Sequence, residues 1–140
     1  MLKGIPSNIS PDLLKALCEM GHGDELVIAD SNFPSHSINS KVIHMDGVNG
    51  TDTLISILKL IPLDTYSEEN FILMQVVEND PIPSTWEDYI NTAKKLDDNV
   101  RVERISRFDF YDRAKKAYLV IATGETRVYG NIILKKGVIK

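Results

Sequence analysis

Short apolar runs alternate with helix-spaced apolar residues from one end of the chain to the other, and no other feature limits the possible folds so strongly. Residues 26–29 are apolar throughout and too short for a helix between their flanks, so they read as a buried strand. Residues 42–45, 71–77, 118–123 and 131–134 repeat that pattern, and 100–105 alternate apolar with charged residues, as a half-exposed strand does. Between these runs lie helical segments. Ser10-Pro11 opens the first, with Ser suited to the N-cap and Pro to the first helical position. Leu13, Leu14, Leu17 and Met20 then recur at helical spacing, and Gly21 stands where a helix stops. Further helices are expected over 51–60 (ended by Pro62), 86–96 and 108–117.

Alternation of this kind implies an α/β layered fold: one domain over residues 1–140, with a mixed, largely parallel central sheet flanked by helices. Antiparallel pairing is expected near the C-terminus, where two strands are separated only by residues 124–130. A chain of 140 residues with 43% hydrophobic content can bury roughly two thirds of its unfolded surface in one core.

Charge and composition remove several function classes. Sixteen basic against 20 acidic residues give a net charge of −4, which offers no pull toward phosphate backbones or anionic lipid. Nucleic acid and membrane are therefore not expected as partners. Cys18 is the single cysteine, so neither an internal disulfide nor a cysteine-based metal site is available. No apolar leader region and no run of about 20 apolar residues is present, which makes the cytoplasm the expected compartment. Phosphate-cradling, dinucleotide, nucleophile-elbow and HExxH zinc motifs are all missing. His36 and His44 show no metal-ligand spacing and are left structural. Neither a metal nor a cofactor is expected.

What remains is a set of polar residues at element junctions. His22 lies between two glycines, after the first helix, with Asp24 and Glu25 close by. Imidazole titrates near neutrality and moves protons without a cofactor; a surface turn with an incidental histidine is the other reading. Asp30 ends a strand, where ligands of open α/β sheets bind, or it simply caps Ser31-Asn32. Asp64 follows a helix, as a second carboxylate of a site or as a loop residue. Met74 falls in a buried strand and Tyr111 in the short helix after Arg107. Arg107 could contact a ligand or pair with Asp109 or Glu103. Tyr129-Gly130-Asn131 offers a hydroxyl, a permissive backbone and an amide that both donates and accepts. Together these residues suit a polyhydroxylated ligand and cofactor-free proton transfer.

Longer blocks sharpen the reading: Glu19-Met20-Gly21-His22-Gly23-Asp24-Glu25, Ala29-Asp30-Ser31-Asn32-Phe33-Pro34, Pro62-Leu63-Asp64-Thr65-Tyr66, Phe110-Tyr111-Asp112-Arg113-Ala114-Lys115 and Tyr129-Gly130-Asn131-Ile132-Ile133-Leu134. In order and spanning nearly the whole chain, they resemble the fucose mutarotase branch of the family that also contains the ribose pyranases. Gly130, where a pyranase more often carries Ala, favours the fucose branch. The resemblance implies an isomerase that interconverts the anomers of L-fucose. It matches His22 to the catalytic histidine, with Asp64 or a water as its acid–base counterpart. Asp30, Arg107, Tyr129 and Asn131 match sugar contacts, Gly130 lets the backbone approach, and Asp64, Met74 and Tyr111 match further positions for catalysis or binding; in the mechanism these residues could support, Met74 receives the methyl group. It also implies a ring-shaped homo-oligomer, a decamer being one form, with sites near subunit contacts. A ribose-type pyranase and a non-catalytic sugar-binding module are the alternatives.

Overall fold

A computed structural model describes residues 1–140. The elements run α1 Pro11–Glu19, β1 Glu25–Ala29, α2 Ser35–Ile38, β2 Val42–Met45, α3 Gly50–Leu58, β3 Phe71–Met74, α4 Ser84–Leu96, β4 Val102–Ile105, α5 Arg107–Lys116, β5 Leu119–Thr123 and β6 Ile132–Lys135. The six strands form one sheet in the order β2-β5-β1-β6-β3-β4. β6 is antiparallel to both its neighbours, β1 and β3. The other pairs are parallel, so five strands point one way and β6 alone runs back.

Side-chain alternation along the strands builds two cores. Leu26 and Ile28 of β1, with Leu119, Ile121, Ile132, Leu134, Phe71 and Leu73, pack under α1, α3 and α4. Val27 and Ala29, with Val120, Ile133, Ile72 and Met74, pack against Phe33 and against Phe110 and Ala114 of α5. Because both faces are covered, the inner strands carry no polar alternation. The edge strands are less covered, and β4 exposes the adjacent Glu103 and Arg104, one on each face. In α1 the Ser10 hydroxyl accepts from the Leu13 N–H at 3.2 Å, and Pro11 occupies the first turn. Leu13, Ala16 and Leu17 are the buried stripe of that helix, and Leu13→Ala would cost about 2–5 kcal/mol. No helix is long and apolar enough to cross a membrane.

Three expectations need correction. β5 and β6 do not pair with each other, because β1 lies between them; the antiparallel contacts are to β1 and β3. β3 ends at Met74 rather than Val77, since the chain turns over Val77–Asp80 with Asn79 at φ 72°, and Pro81 and Pro83 have no N–H for a ladder. One four-residue helix, α2, was not expected; a single turn is too short to show a 3.6-residue period.

Candidate active site

Five parallel strands bring their carboxyl ends to one side of the molecule, and β6, running back, brings its amino end to the same side. Asp30 follows β1, Met74 ends β3, Arg107 starts α5 just after β4, and Tyr129 and Asn131 lead into β6. These five, with Tyr111 one turn into α5, line a single cavity of about 510 Å³. Phe33, Val77, Asp80 and Val128, with Asn32, Pro81 and Pro83, complete its wall. This is the crevice beyond the strand ends where open α/β sheets hold ligands.

Asp30 and Asn131 grip each other. The Asp30 N–H donates to Asn131 Oδ1 at 2.8 Å and Asn131 Nδ2 donates to Asp30 Oδ2 at 3.1 Å. Gly130 N–H reaches the same Oδ2 at 3.2 Å, and Asn32 N–H reaches Oδ1 at 3.0 Å. Only 6% of Asp30 is exposed. Burial raises its pKa above the ordinary carboxylate value, and these hydrogen bonds offset that only in part. A carboxylate so placed gains from further donors, such as sugar hydroxyls.

Tyr129 is held in the left-handed region at φ 56°, which a bulky residue adopts only when its surroundings enforce it. Its hydroxyl donates to Asp80 Oδ2 and accepts from the Val77 N–H at 3.1 Å. The bond to Asp80 pushes the phenol pKa up. Phe33 meets Tyr111 edge-on at 5.5 Å and Phe110 at 5.9 Å, forming an aromatic wall. Arg107 pairs with neither Asp109 nor Glu103; its guanidinium lies 4.9 Å from the Phe108 ring and keeps its donors for the cavity. Gly130 is buried and does not line the cavity. A Cβ there would lie 2.8 Å from Glu125 Cγ and 3.1 Å from the Arg127 carbonyl oxygen, so packing behind the loop demands the glycine.

His22 and Asp64 form a second cluster. His22 Nε2 lies 2.9 Å from Asp64 Oδ1, with 47% of the histidine side chain exposed and 2% of the aspartate. The same carboxylate accepts from Tyr66 N–H at 3.1 Å, Ser67 N–H at 3.1 Å and Ser67 Oγ at 2.6 Å. Burial acts to raise the Asp64 pKa, but the bonds from Ser67, His22 and Tyr66 outweigh it and hold the group well below the carboxylate range. An ionised carboxylate only accepts, so Nε2 is the donor, and in the neutral imidazole Nδ1 then keeps a lone pair. The Tyr66 ring sits 5.1 Å from the imidazole, tilted by 56°. Gly23 N–H to the Lys136 carbonyl at 2.8 Å and Asp64 N–H to that of Lys135 at 3.0 Å tie both loops to the end of β6.

The two clusters do not meet within the chain, contrary to the expectation of one convergent site. β1 runs between them, with His22 before it and Asp30 after it, and five strand residues span roughly 16 Å. His36 and His44, left apart in the sequence reading, do come together, Nε2 to Nε2 at 2.8 Å, with His44 Nδ1 3.1 Å from Asp46. No group of three His, Cys, Asp or Glu residues is arranged to hold a metal ion. Phe33, Asp80 and Val128, together with Ser67 behind Asp64, were missed. Asn79, Pro81 and Pro83 were the signal for a shaped loop after β3.

The family model described as the RbsD / FucU transport protein family matches residues 3–139. The L-fucose mutarotase of Histophilus somni (strain 2336) is 52% identical over 140 residues, covering 99% of this chain and 97% of that protein. The crystal structure of the fucose mutarotase in complex with L-fucose from Streptococcus pneumoniae superposes with a TM-score of 0.94 at 52% identity, covering 99% of this chain and 100% of that one. Bacillus subtilis RbsD complexed with D-ribose is a more distant match, with a TM-score of 0.77 and 25% identity over the full length of both chains.

Proposed function

The chain belongs to the RbsD / FucU transport protein family, and from that premise we propose that it interconverts the α and β anomers of L-fucose by acid–base catalysed ring opening and closure. It is an isomerase. The observation that carries the reading is that six residues expected to contact a sugar line one cavity.

Mutarotation moves protons and leaves the carbon skeleton intact. The anomeric hydroxyl loses a proton, the ring oxygen gains one, and the bond between the anomeric carbon and the ring oxygen breaks to give an aldehyde. Rotation about the first carbon–carbon bond presents the other carbonyl face, and the reverse steps close the ring. Asp30, Asn131, Arg107 and Tyr129 hold the hydroxyls, and Tyr111 adds an aromatic wall. Met74, with Val77 and Val128, receives the methyl group. His22 takes the anomeric proton on its free Nδ1, a water delivers one to the ring oxygen, and the imidazolium restores the water's proton. Asp64 stays ionised, fixes the ring through Nε2 and steadies the imidazolium.

His22 of one protomer completes the cavity of its neighbour. Both ends of the molecule are suited to such a contact. Tyr66, Val138 and Ile139 are exposed on the His22 side, and Val77, Ile82, Phe108 and Val128 are exposed around the cavity mouth. Exposed apolar side chains gathered at both ends could be covered in such a contact. Head-to-tail contacts between unlike ends generate rings when the rotation closes, and a ring-shaped homo-oligomer is the assembly this reading calls for.

The test is complementation. His22→Gln and Asp30→Asn each abolish the acceleration of anomer exchange, read by NMR magnetisation transfer between the anomeric protons of L-fucose. Mixed oligomers reassembled at equal ratio should recover roughly a quarter of the wild-type rate, because random neighbours pair an intact cavity with an intact histidine that often. Mixed oligomers seen by native mass spectrometry with no recovery would overturn the shared site. Faster exchange with D-ribose than with L-fucose would favour a pyranase instead.

A further inference from the structure

Behind the cavity, out of reach of any ligand in it, lies a half-buried ionic cluster to which the proton chemistry assigns no role. Glu125, only 3% exposed, stands in the segment between β5 and β6. Its carboxylate accepts from Arg127 Nε at 3.1 Å and from an Arg127 terminal nitrogen at 3.0 Å, one oxygen each. It also accepts from the backbone N–H groups of Arg127 at 2.9 Å and Gly50 at 3.0 Å. Gly50 begins α3, whose dipole favours a negative group there. Arg127 reaches further, to Asp88 Oδ2 at 2.9 Å and Thr51 Oγ at 3.1 Å. Tyr89 of α4 is fully buried; its hydroxyl lies 3.5 Å from Glu125 and donates to the Gly130 carbonyl at 3.2 Å.

The peptide groups around Gly130 are therefore held from two sides. In front, the Gly130 N–H and the Asn131 amide bind Asp30; behind, Tyr89 takes the Gly130 carbonyl. The Glu125 carbonyl accepts the Ser31 N–H at 2.8 Å, which ties the loop after Asp30 to the same cluster. Thr85 Oγ adds a bond to the Tyr129 carbonyl at 3.2 Å. None of Glu125, Arg127 or Tyr89 lines the cavity. Arg127 and Asp88 are each 37% exposed, against 3% for Glu125, and a partly exposed ion pair adds little net stability, so the arrangement calls for another purpose. It keeps Tyr129 at its strained φ and fixes the spacing between Asp30 and Asn131.

We propose that Glu125, Arg127 and Tyr89 are positioning residues of the sugar site, which set its affinity by clamping the Tyr129-Gly130-Asn131 segment against Asp30. This rests on the reading of the cavity as the fucose site. The cluster governs groups that hold hydroxyls and not the proton carrier, so its loss acts on KM and spares kcat.

The experiment compares Tyr89→Phe, Arg127→Met and Arg127→Lys with the wild-type oligomer. Tyr89→Phe removes one oxygen and leaves the packing, and it should raise KM and the dissociation constant for L-fucose about 5- to 10-fold, with exchange at saturation within about twofold of wild type. Hydrogen exchange at the Gly130 and Asn131 amides should quicken without sugar present. Arg127→Met should act in the same direction, and Arg127→Lys should recover part of the loss, since an ammonium reaches Glu125 or Asp88 but cannot fork between them. Leu17→Ala, a core change in α1, controls for stability: it lowers Tm and leaves KM unchanged. A folded Tyr89→Phe with wild-type KM and wild-type Gly130 exchange overturns the proposal, and so does a loss confined to kcat. A wild-type protein that fails to speed exchange sinks the mutarotase reading instead, while the sugar-free amide measurement still decides the clamp.

Discussion

Asp30 and Asp64 are both buried aspartates, one at each end of the same sheet, and their acidities move in opposite directions. At Asp30 burial prevails over backbone and amide donors, and the pKa rises. At Asp64 a serine hydroxyl, an imidazole and two backbone N–H groups prevail over burial, and it falls. The difference lies in what each carboxylate still lacks. Asp30 faces a cavity and is best served by donors that arrive with a ligand. Asp64 is saturated already and holds His22 in place. Depth of burial alone would have given both residues one role, whereas the donors around them separate recognition from proton handling.

The contrast can be broken most forcefully at the histidine. His22→Gln should remove the rate acceleration by about 10²–10⁴-fold while L-fucose binding and Tm stay near wild type, because the side chain is half exposed and off the core. Comparable loss of binding would show that the amino end takes part in recognition. Asp64→Asn should do less to the rate, on the order of 10- to 100-fold, as when a histidine loses its orienting carboxylate. It should also destabilise the protein by about 1–3 kcal/mol, since the Ser67 donors are left facing an amide. Tyr129→Phe, at the other end, should weaken binding by only about 5-fold and spare the saturated rate, reflecting one lost hydroxyl.

The smallest effect is in the acid limb of stability. Asp64 has a lowered pKa when folded, so its contribution is present above the unfolded value of 3.8 and is lost as pH falls below it. Asp30 has a raised one; its contribution is complete below 3.8 and is lost as pH rises through the folded value. Thermal melts between pH 5 and pH 2 should therefore show a shallower acid limb for Asp64→Asn and a steeper one for Asp30→Asn. Equal slopes for both variants would mean that the two carboxylates do not differ as described.

Much of this architecture was legible in the residues. The Ser10-Pro11 start, the strand at 26–29 and the helix over residues 86–96 follow from capping and periodicity, which are local. Strand order is not local: nothing within residues 124–135 announces that β6 will pass over β5 and insert between β1 and β3. The cavity residues were nameable because Asp30, Arg107 and Asn131 sit at strand ends. The gap between His22 and Asp30 was not read from the sequence, although the apolar run at 26–29 stands between them and a buried strand keeps its ends apart. Asp80, Phe33 and the Glu125–Arg127–Tyr89 cluster gave no such signal, because their partners lie far away in sequence.

The reversed strand also has a consequence for biogenesis. β2, β5 and β1 form one parallel group and β3 with β4 another, and β6 is the only strand that hydrogen-bonds to both. β1 and β2 have no strand partner until β5 is made, and β3 with β4 stays apart from them until the stretch from Ile132 to Lys135 joins the sheet. Such late, long-range closure makes for slow folding and aggregation-prone intermediates. A chain stopped after residue 131 would therefore have two open edges and no completed sheet, although it keeps every residue that lines the cavity.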